Sequence, residues 1–166
     1  MSLEEIQNDH IGLLIKQYDN DNIYPLLPLL SQEFPNWTLD KIKNYIKIVI
    51  SKKHDVAGML VAQNEAMYYV GLLIYTFQHI SPELIGNTKK NQFENGIVVE
   101  NLIASSPILQ KQVFFLLTES IAKIAKNNNC KFIELPKIDE TYELIKEKYK
   151  NQITHHNNFR IFIKLN

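Results

Sequence analysis

The chain has 166 residues, with Lys plus Arg and Asp plus Glu both at 18, so its formal net charge is zero. That balance lacks the basic excess of a nucleic-acid binder, and a hydrophobic content of 45% excludes a disordered chain. The length fits one domain over 1–166, since domains commonly hold about 100–150 residues.

In chain order, Ile11 to Tyr18 is apolar and runs into the polar cluster Asp19-Asn20-Asp21-Asn22, which reads as a strand and a turn. Ile23 to Phe34 carries Pro25 and Pro28. Proline suits a first helical turn, so a short helix is expected over about Pro28 to Phe34. Thr38 is an N-cap with Asp40 in the first turn, where the helix dipole favours an anion. Leu39, Ile42, Tyr45, Ile46, Val49 and Ile50 follow at helical spacing, and Lys52-Lys53-His54 close the helix.

Three strands follow. Val56 to Gln63 is the first, with Asn64-Glu65 as its turn. Met67 to Phe77 is the second and is apolar on both alternating sets, Tyr68, Val70, Leu72, Ile74 and Tyr69, Leu73, Tyr75, Phe77. A strand of that kind is central, with helices on both sides. Ile80 to Asn95 is a long polar connection, and Ile97 to Ala104 is the third strand.

Pro107 opens a helix with the stripe Val113, Phe114, Leu117, Ile121, Ile124, Ala125, stopped by Asn127-Asn128-Asn129. Lys131 to Leu135 is a short strand. Asp139 caps a last helix that carries Tyr142, Ile145 and Tyr149. Ile153 to Leu165 is extended and broken at Asn157-Asn158. In it Phe159, Ile161, Ile163 and Leu165 alternate with Arg160 and Lys164, as in a half-buried strand.

The unit from Ile97 to Leu135 is strand-helix-strand, which needs a parallel pair and a right-handed crossover. The strands before it are joined directly and should be antiparallel. The expected fold is a mixed α/β sheet with helices on both faces.

No run of about 18 apolar residues occurs, so no membrane-spanning helix is expected. Met1 to Asp9 is polar and acidic, unlike a signal peptide. The single cysteine, Cys130, forms no internal disulfide, which fits a reducing cytoplasm, and it reads as a small buried hydrophobe after a helix. His155-His156 point to opposite faces of a strand and have no Cys or carboxylate cluster nearby in sequence, so no metal site is expected.

The element order resembles the GNAT (Gcn5-related N-acetyltransferase) fold along nearly the whole chain. The local likeness is strongest where Val99 to Gln110 reads Val-Glu-Asn-Leu-Ile-Ala-Ser-Ser-Pro-Ile-Leu-Gln. This is similar to the family's acidic residue on an apolar strand, followed by Pro, two residues and Arg or Gln. Ala125 to Leu135 is similar to the family's helix end and following strand. The family next has Gln/Arg-x-x-Gly-x-Gly/Ala, whereas this chain has Gln110-Lys111-Gln112-Val113-Phe114-Phe115, with Val113 and Phe115 in place of small residues.

The resemblance implies acetyl-CoA as cosubstrate and an amine of a small molecule or protein as acceptor. The balanced charge and the lack of a long apolar run give no nucleic-acid or membrane partner as the expectation, and a homodimer is one possible assembly. Pantetheine would run along Leu102, Ile103 and Ala104, and the pyrophosphate would meet the amides from Lys111 to Phe115, with Gln110 and Lys111 adding side-chain contacts. If that loop needs φ > 0, Val113 would cost about 1–2 kcal/mol. If helical φ suffices, Phe115 would crowd the phosphates, and glycine there would make room. Glu100 lies where some members carry the base. Lys146 falls where the family has its thiolate-protonating Tyr, with Tyr142 and Tyr149 one turn to either side as substitutes. Val113 to Phe115 read equally well as a helix packed on the sheet with no ligand, which would make the chain a binding or interaction module of the same fold.

Overall fold

The computed structural model describes residues 6–8, 12–53, 56–80, 94–156 and 159–165. The expected connection within Ile80 to Asn95 falls almost wholly outside them, as do the start of the first strand, His54 and the Asn157-Asn158 break.

The elements are β1 (Ile6–Asn8), β2 (Leu13–Gln17), a 3₁₀ turn (Tyr24–Leu26), α1 (Leu27–Glu33), α2 (Leu39–Ser51), β3 (Ala57–Asn64), β4 (Tyr69–Ile80), β5 (Glu94–Ala104), α3 (Pro107–Asn127), β6 (Phe132–Pro136), α4 (Asp139–Lys148), β7 (Ile153–His156) and β8 (Arg160–Lys164). They build one eight-stranded sheet in the order β1-β2-β3-β4-β5-β6-β8-β7. The neighbours from β1 to β5 are antiparallel, β5 and β6 are parallel, and β6-β8-β7 are again antiparallel. The expected meander and the α3 crossover are therefore present.

Each face of the sheet has its own core. Leu72, Ile74 and Ile103 face α1 and α2, where Ile42, Ile46 and Val49 form the buried stripe of α2. Leu73, Tyr75, Val99 and Leu102 face α3, against Val113, Leu117 and Ile121. Thr38 caps α2 as expected, its hydroxyl accepting from the Lys41 amide at 3.3 Å.

Three local expectations need correction. The alternation in β4 changes phase beside Gly71, where the register against β3 shifts, so Val70 joins Leu73 and Tyr75 while Tyr69 sits with Leu72. Tyr68 lies in the turn and is exposed. Asp139 is the first residue of α4 and not its cap; Ile138 holds the cap position with no side-chain bond. β8 is not half-buried: Ile161, Phe162 and Ile163 are all buried and Phe159 is exposed, because β8 lies between β6 and β7 instead of at an edge.

Candidate active site at the parting of two parallel strands

The parallel ladder between β5 and β6 is short. It pairs Gly96 with Phe132, Ile97 with Ile133 and Val98 with Glu134, and then ends. β6 continues through Leu135 and Pro136, which pair with β8 alone. The sequence accounts for this. In a parallel ladder a carbonyl accepts from the N–H one residue beyond its opposite number. Carried forward, the register sets Val99 opposite Leu135 and asks residue 136 for the donor. That residue is proline and has no N–H.

Arg160 supplies the missing donor. From β8 its Nη2 donates to the Val99 carbonyl at 2.9 Å, while its Nε donates to Glu134 Oε1 at 2.6 Å. The ion pair is partly shielded, with the two side chains 25% and 18% exposed. Such a charge-assisted bond satisfies a carbonyl that the sheet would otherwise leave unpaired.

Beyond Val99 the β5 edge turns into the opening. A bulge separates the pairs Tyr75–Val99 and Ile74–Asn101, leaving Glu100 as the extra residue. The Ser105 amide donates to Val70 on β4 at 2.9 Å. By alternation, the backbone groups of Ile103 also face β4, whereas those of Leu102 and Ala104 point into the opening. Gln32 of α1 reaches this edge, its Nε2 donating to the Ala104 carbonyl at 3.1 Å.

Glu100 and Asn101 lie on the side of the sheet that carries α1 and α2. Glu100 is exposed and accepts a bond from the Thr76 hydroxyl at 3.1 Å. Asn101 donates to Glu33 at 3.0 Å and accepts from the Tyr45 hydroxyl at 3.3 Å. The Tyr45 phenol is pushed above its ordinary value by burial first, and then by the charges of Glu100 and Glu33. This polar group sits beside the opening, with the stacked rings of Phe34 and Trp37 next to Tyr45.

The expected phosphate loop is not a loop here. α3 starts at Pro107, capped by Ser106, whose side chain accepts from the Ile108 amide at 3.3 Å. The Leu109 amide donates to the Ser106 carbonyl at 3.2 Å. Gln110, Lys111, Gln112, Val113, Phe114 and Phe115 therefore all lie within the helix, where amides are committed to carbonyls one turn back. Val113 has no positive φ; the non-glycine residues that do are Met67 and Asn129 among those described. Val113 and Phe114 are buried against the sheet. Phe115 is half-buried and faces α4, with Lys148 Nζ 5.7 Å from its ring centre. Lys111 and Gln112 are exposed, and Gln110 is half-buried.

The two tyrosines part company. Tyr149 is buried just past α4, and its hydroxyl donates to Glu119 of α3 at 2.9 Å. Lys148 pairs with the same carboxylate. Burial, and then Glu119, raise the Tyr149 phenol well above its ordinary range, so it ties two helices together and is a poor proton donor. Tyr142 is in the first turn of α4, next to the end of β6, and is half-buried with Lys137 and Lys146 Nζ 4.7 and 6.0 Å from its ring centre. Of the pair, Tyr142 is at the end of the sheet where the strands part.

A cavity of about 380 Å³ opens at the opposite end of the sheet, between Val56, Phe77, His79, Asn95 and Cys130. Burial pushes the Cys130 thiol up to about 11, which suits a packed hydrophobe and not a nucleophile. No group of three or more metal-ligating side chains occurs among the described residues. Among them also, no helix is long and apolar enough to cross a membrane.

Reading the sequence missed Arg160, which it took for a solvent-facing strand residue, and Gln32. Pro136 was the available signal: a proline ending a strand inside a sheet leaves a carbonyl that some side chain must satisfy.

No family model and no curated protein matches the chain. Solved structures do. One is a GNAT-family acetyltransferase from Staphylococcus aureus Mu50, with TM-score 0.58 and 12% identity, covering 93% of this chain and 99% of that one. Another is the aminoglycoside 6'-N-acetyltransferase AAC(6')-Ih from Acinetobacter baumannii, with TM-score 0.60 and 14% identity over 88% and 92%. A third is the aminoglycoside N-acetyltransferase AAC(6')-Iy in complex with CoA, with TM-score 0.62 and 13% identity over 84% and 85%. At these identities the likeness is one of fold.

Proposed function

We propose that this chain, which has the GNAT fold, is an acetyl-CoA-dependent N-acetyltransferase acting on a primary amine of a small molecule or protein. The observation that carries the reading is the parting of β5 from β6 after Val98–Glu134, with the backbone groups of Leu102 and Ala104 turned into the gap. An extended arm bearing secondary amides can lie along such an edge as an added strand does. A structure of the same fold holds coenzyme A.

In this reading the arm lies along Leu102 and Ala104, taking the place of Gln32 at the Ala104 carbonyl, and its thioester comes to rest near the Glu100 bulge. The amine attacks the thioester carbon, a C–N bond forms, the C–S bond breaks, and the thiolate takes up a proton. Holding the two reactants together supplies most of the rate, up to about 7–11 kcal/mol when they are well oriented. On this reading Glu100, exposed at the bulge and so weaker as a base than a buried carboxylate, takes the amine proton through water, and Tyr142 returns one to the thiolate. Residues 1–166 act as one domain in the cytoplasm, and a homodimer is to be sought by sedimentation.

A second reading has its own observation. Gln110 to Phe115 are wound into α3, and the first amides of that helix are engaged by Ser106. A helix start used in this way offers less to a pyrophosphate than an open glycine loop. On this reading the chain is a non-catalytic module. Thermal shift with acetyl-CoA separates the two. A ligand at a hundred times its Kd stabilises the fold by about 2.7 kcal/mol, and a melting temperature unmoved at millimolar acetyl-CoA would select the module.

A further inference from the structure

Arg160 stands at the point where β5 and β6 separate. Its guanidinium is fixed from two sides, by Glu134 of β6 and by the Val99 carbonyl of β5. The position follows from Pro136, which pairs with Arg160 across the β6–β8 ladder and cannot itself donate to Val99. A chain that enters from the wide end and follows the β5 edge from Ala104 meets the Arg160 head after Glu100. The run from Ala104 to Glu100 is four steps of roughly 3.3 Å, about 13 Å in all. What ends the run is a paired cation held by charge-assisted hydrogen bonds.

We infer that Arg160 is the specificity-determining stop of the acyl site, restricting the donor to short acyl thioesters such as acetyl. The inference rests on the acyl-CoA reading given above. An acetyl group ends before the guanidinium. A medium-length acyl chain must either displace the guanidinium, which breaks both the Glu134 pair and the Val99 bond, or turn out into water. An unpaired arginine against buried strands is costly, and an acyl chain in water gains nothing from its methylenes.

Calorimetry on the full chain with free CoA, acetyl-CoA and octanoyl-CoA tests this. The unaltered protein should bind acetyl-CoA at least about tenfold more tightly than octanoyl-CoA. In Arg160→Ala that ratio should fall to about twofold or reverse, because the guanidinium no longer fills the end of the run, while affinity for free CoA holds. Should circular dichroism show that Arg160→Ala does not fold, Arg160→Gln keeps a donor for Val99 on a shorter stem and should shift the ratio the same way. A folded variant that binds CoA with an unchanged ratio overturns the inference and leaves the transferase reading standing. An unaltered protein that binds both esters equally also overturns it. Binding of none of the three probes by any of the proteins overturns the transferase reading, and this inference with it.

Discussion

Val113 lies directly over Gly71: a Cβ built on Gly71 would come within 2.2 Å of Val113 Cγ1 and within 3.2 Å of Ala62 Cβ. The bulk that distinguishes this chain's central helix from the glycine-bearing pattern it resembles is matched by an absent side chain on the facing strand. The helix therefore packs at close range on β4 with Val113 fully buried, and the pair behaves as one packing unit.

Gly71→Ala should accordingly destabilise the fold by about 1–3 kcal/mol through overpacking. Val113→Ala should also destabilise it, through the space left. The double variant should be more stable than the two losses added together, because each change makes room for the other. Urea unfolding of the four proteins checks this, and strict additivity would show that the two positions do not share a contact.

Tyr149→Phe should lower stability by about 1–3 kcal/mol, since it leaves the half-buried Glu119 carboxylate without its phenol donor. Tyr142→Phe should cost less, because Tyr142 is only half-buried while Tyr149 is buried. In an acetyl-transfer assay the order reverses: Tyr142→Phe slows turnover while Tyr149→Phe does not. A Tyr149 variant that melts like the unaltered protein would remove its role as the tie between α3 and α4.

Glu100→Gln should reduce turnover by about tenfold, less than the 10²–10⁴ of general base catalysis, because the carboxylate is exposed, accepts from Thr76 and reaches the amine only through water. Acetyl-CoA affinity should hold. The deficit should narrow at high pH, where the amine arrives already deprotonated. A pH–rate profile that is the same in both proteins would remove Glu100 from the proton path.

Stability should fall on the alkaline side in two stages. Cys130 is raised from 9.0 to about 11 and Tyr75 from 10.0 to about 12, both by burial, and Tyr149 is raised further. In each case the folded protein holds a proton that the unfolded chain releases. Each contribution is complete below the unfolded value and is lost as pH rises through the folded one. The decline should begin near pH 9 with Cys130 and steepen beyond pH 10 with the tyrosines. Cys130→Ala should delay the onset by about one pH unit, from 9 towards the tyrosine value of about 10. An onset unmoved in that variant, followed by denaturant midpoints from pH 8 to 11, would assign the first stage to other groups.

Much of this architecture was legible along the chain because it rests on local chemistry. Thr38 with Asp40 fixed the start of α2, Pro107 and the Val113–Ile121 stripe fixed α3, and the doubly apolar run of β4 placed it at the centre of the sheet. Caps, proline geometry and periodicity act between residues a few positions apart, so the sequence alone determines them. The separation of β5 from β6 was not legible. It depends on which amide meets the Val99 carbonyl, and that is set by the pairing of three strands from distant parts of the chain. Only their assembly puts Pro136 where a donor is needed and Arg160 where one can be supplied. The same holds for Val113, whose size looked like an obstacle until Gly71, 42 positions earlier, was seen beneath it. Packing complementarity belongs to pairs in space, and one sequence read in order does not show the pairs.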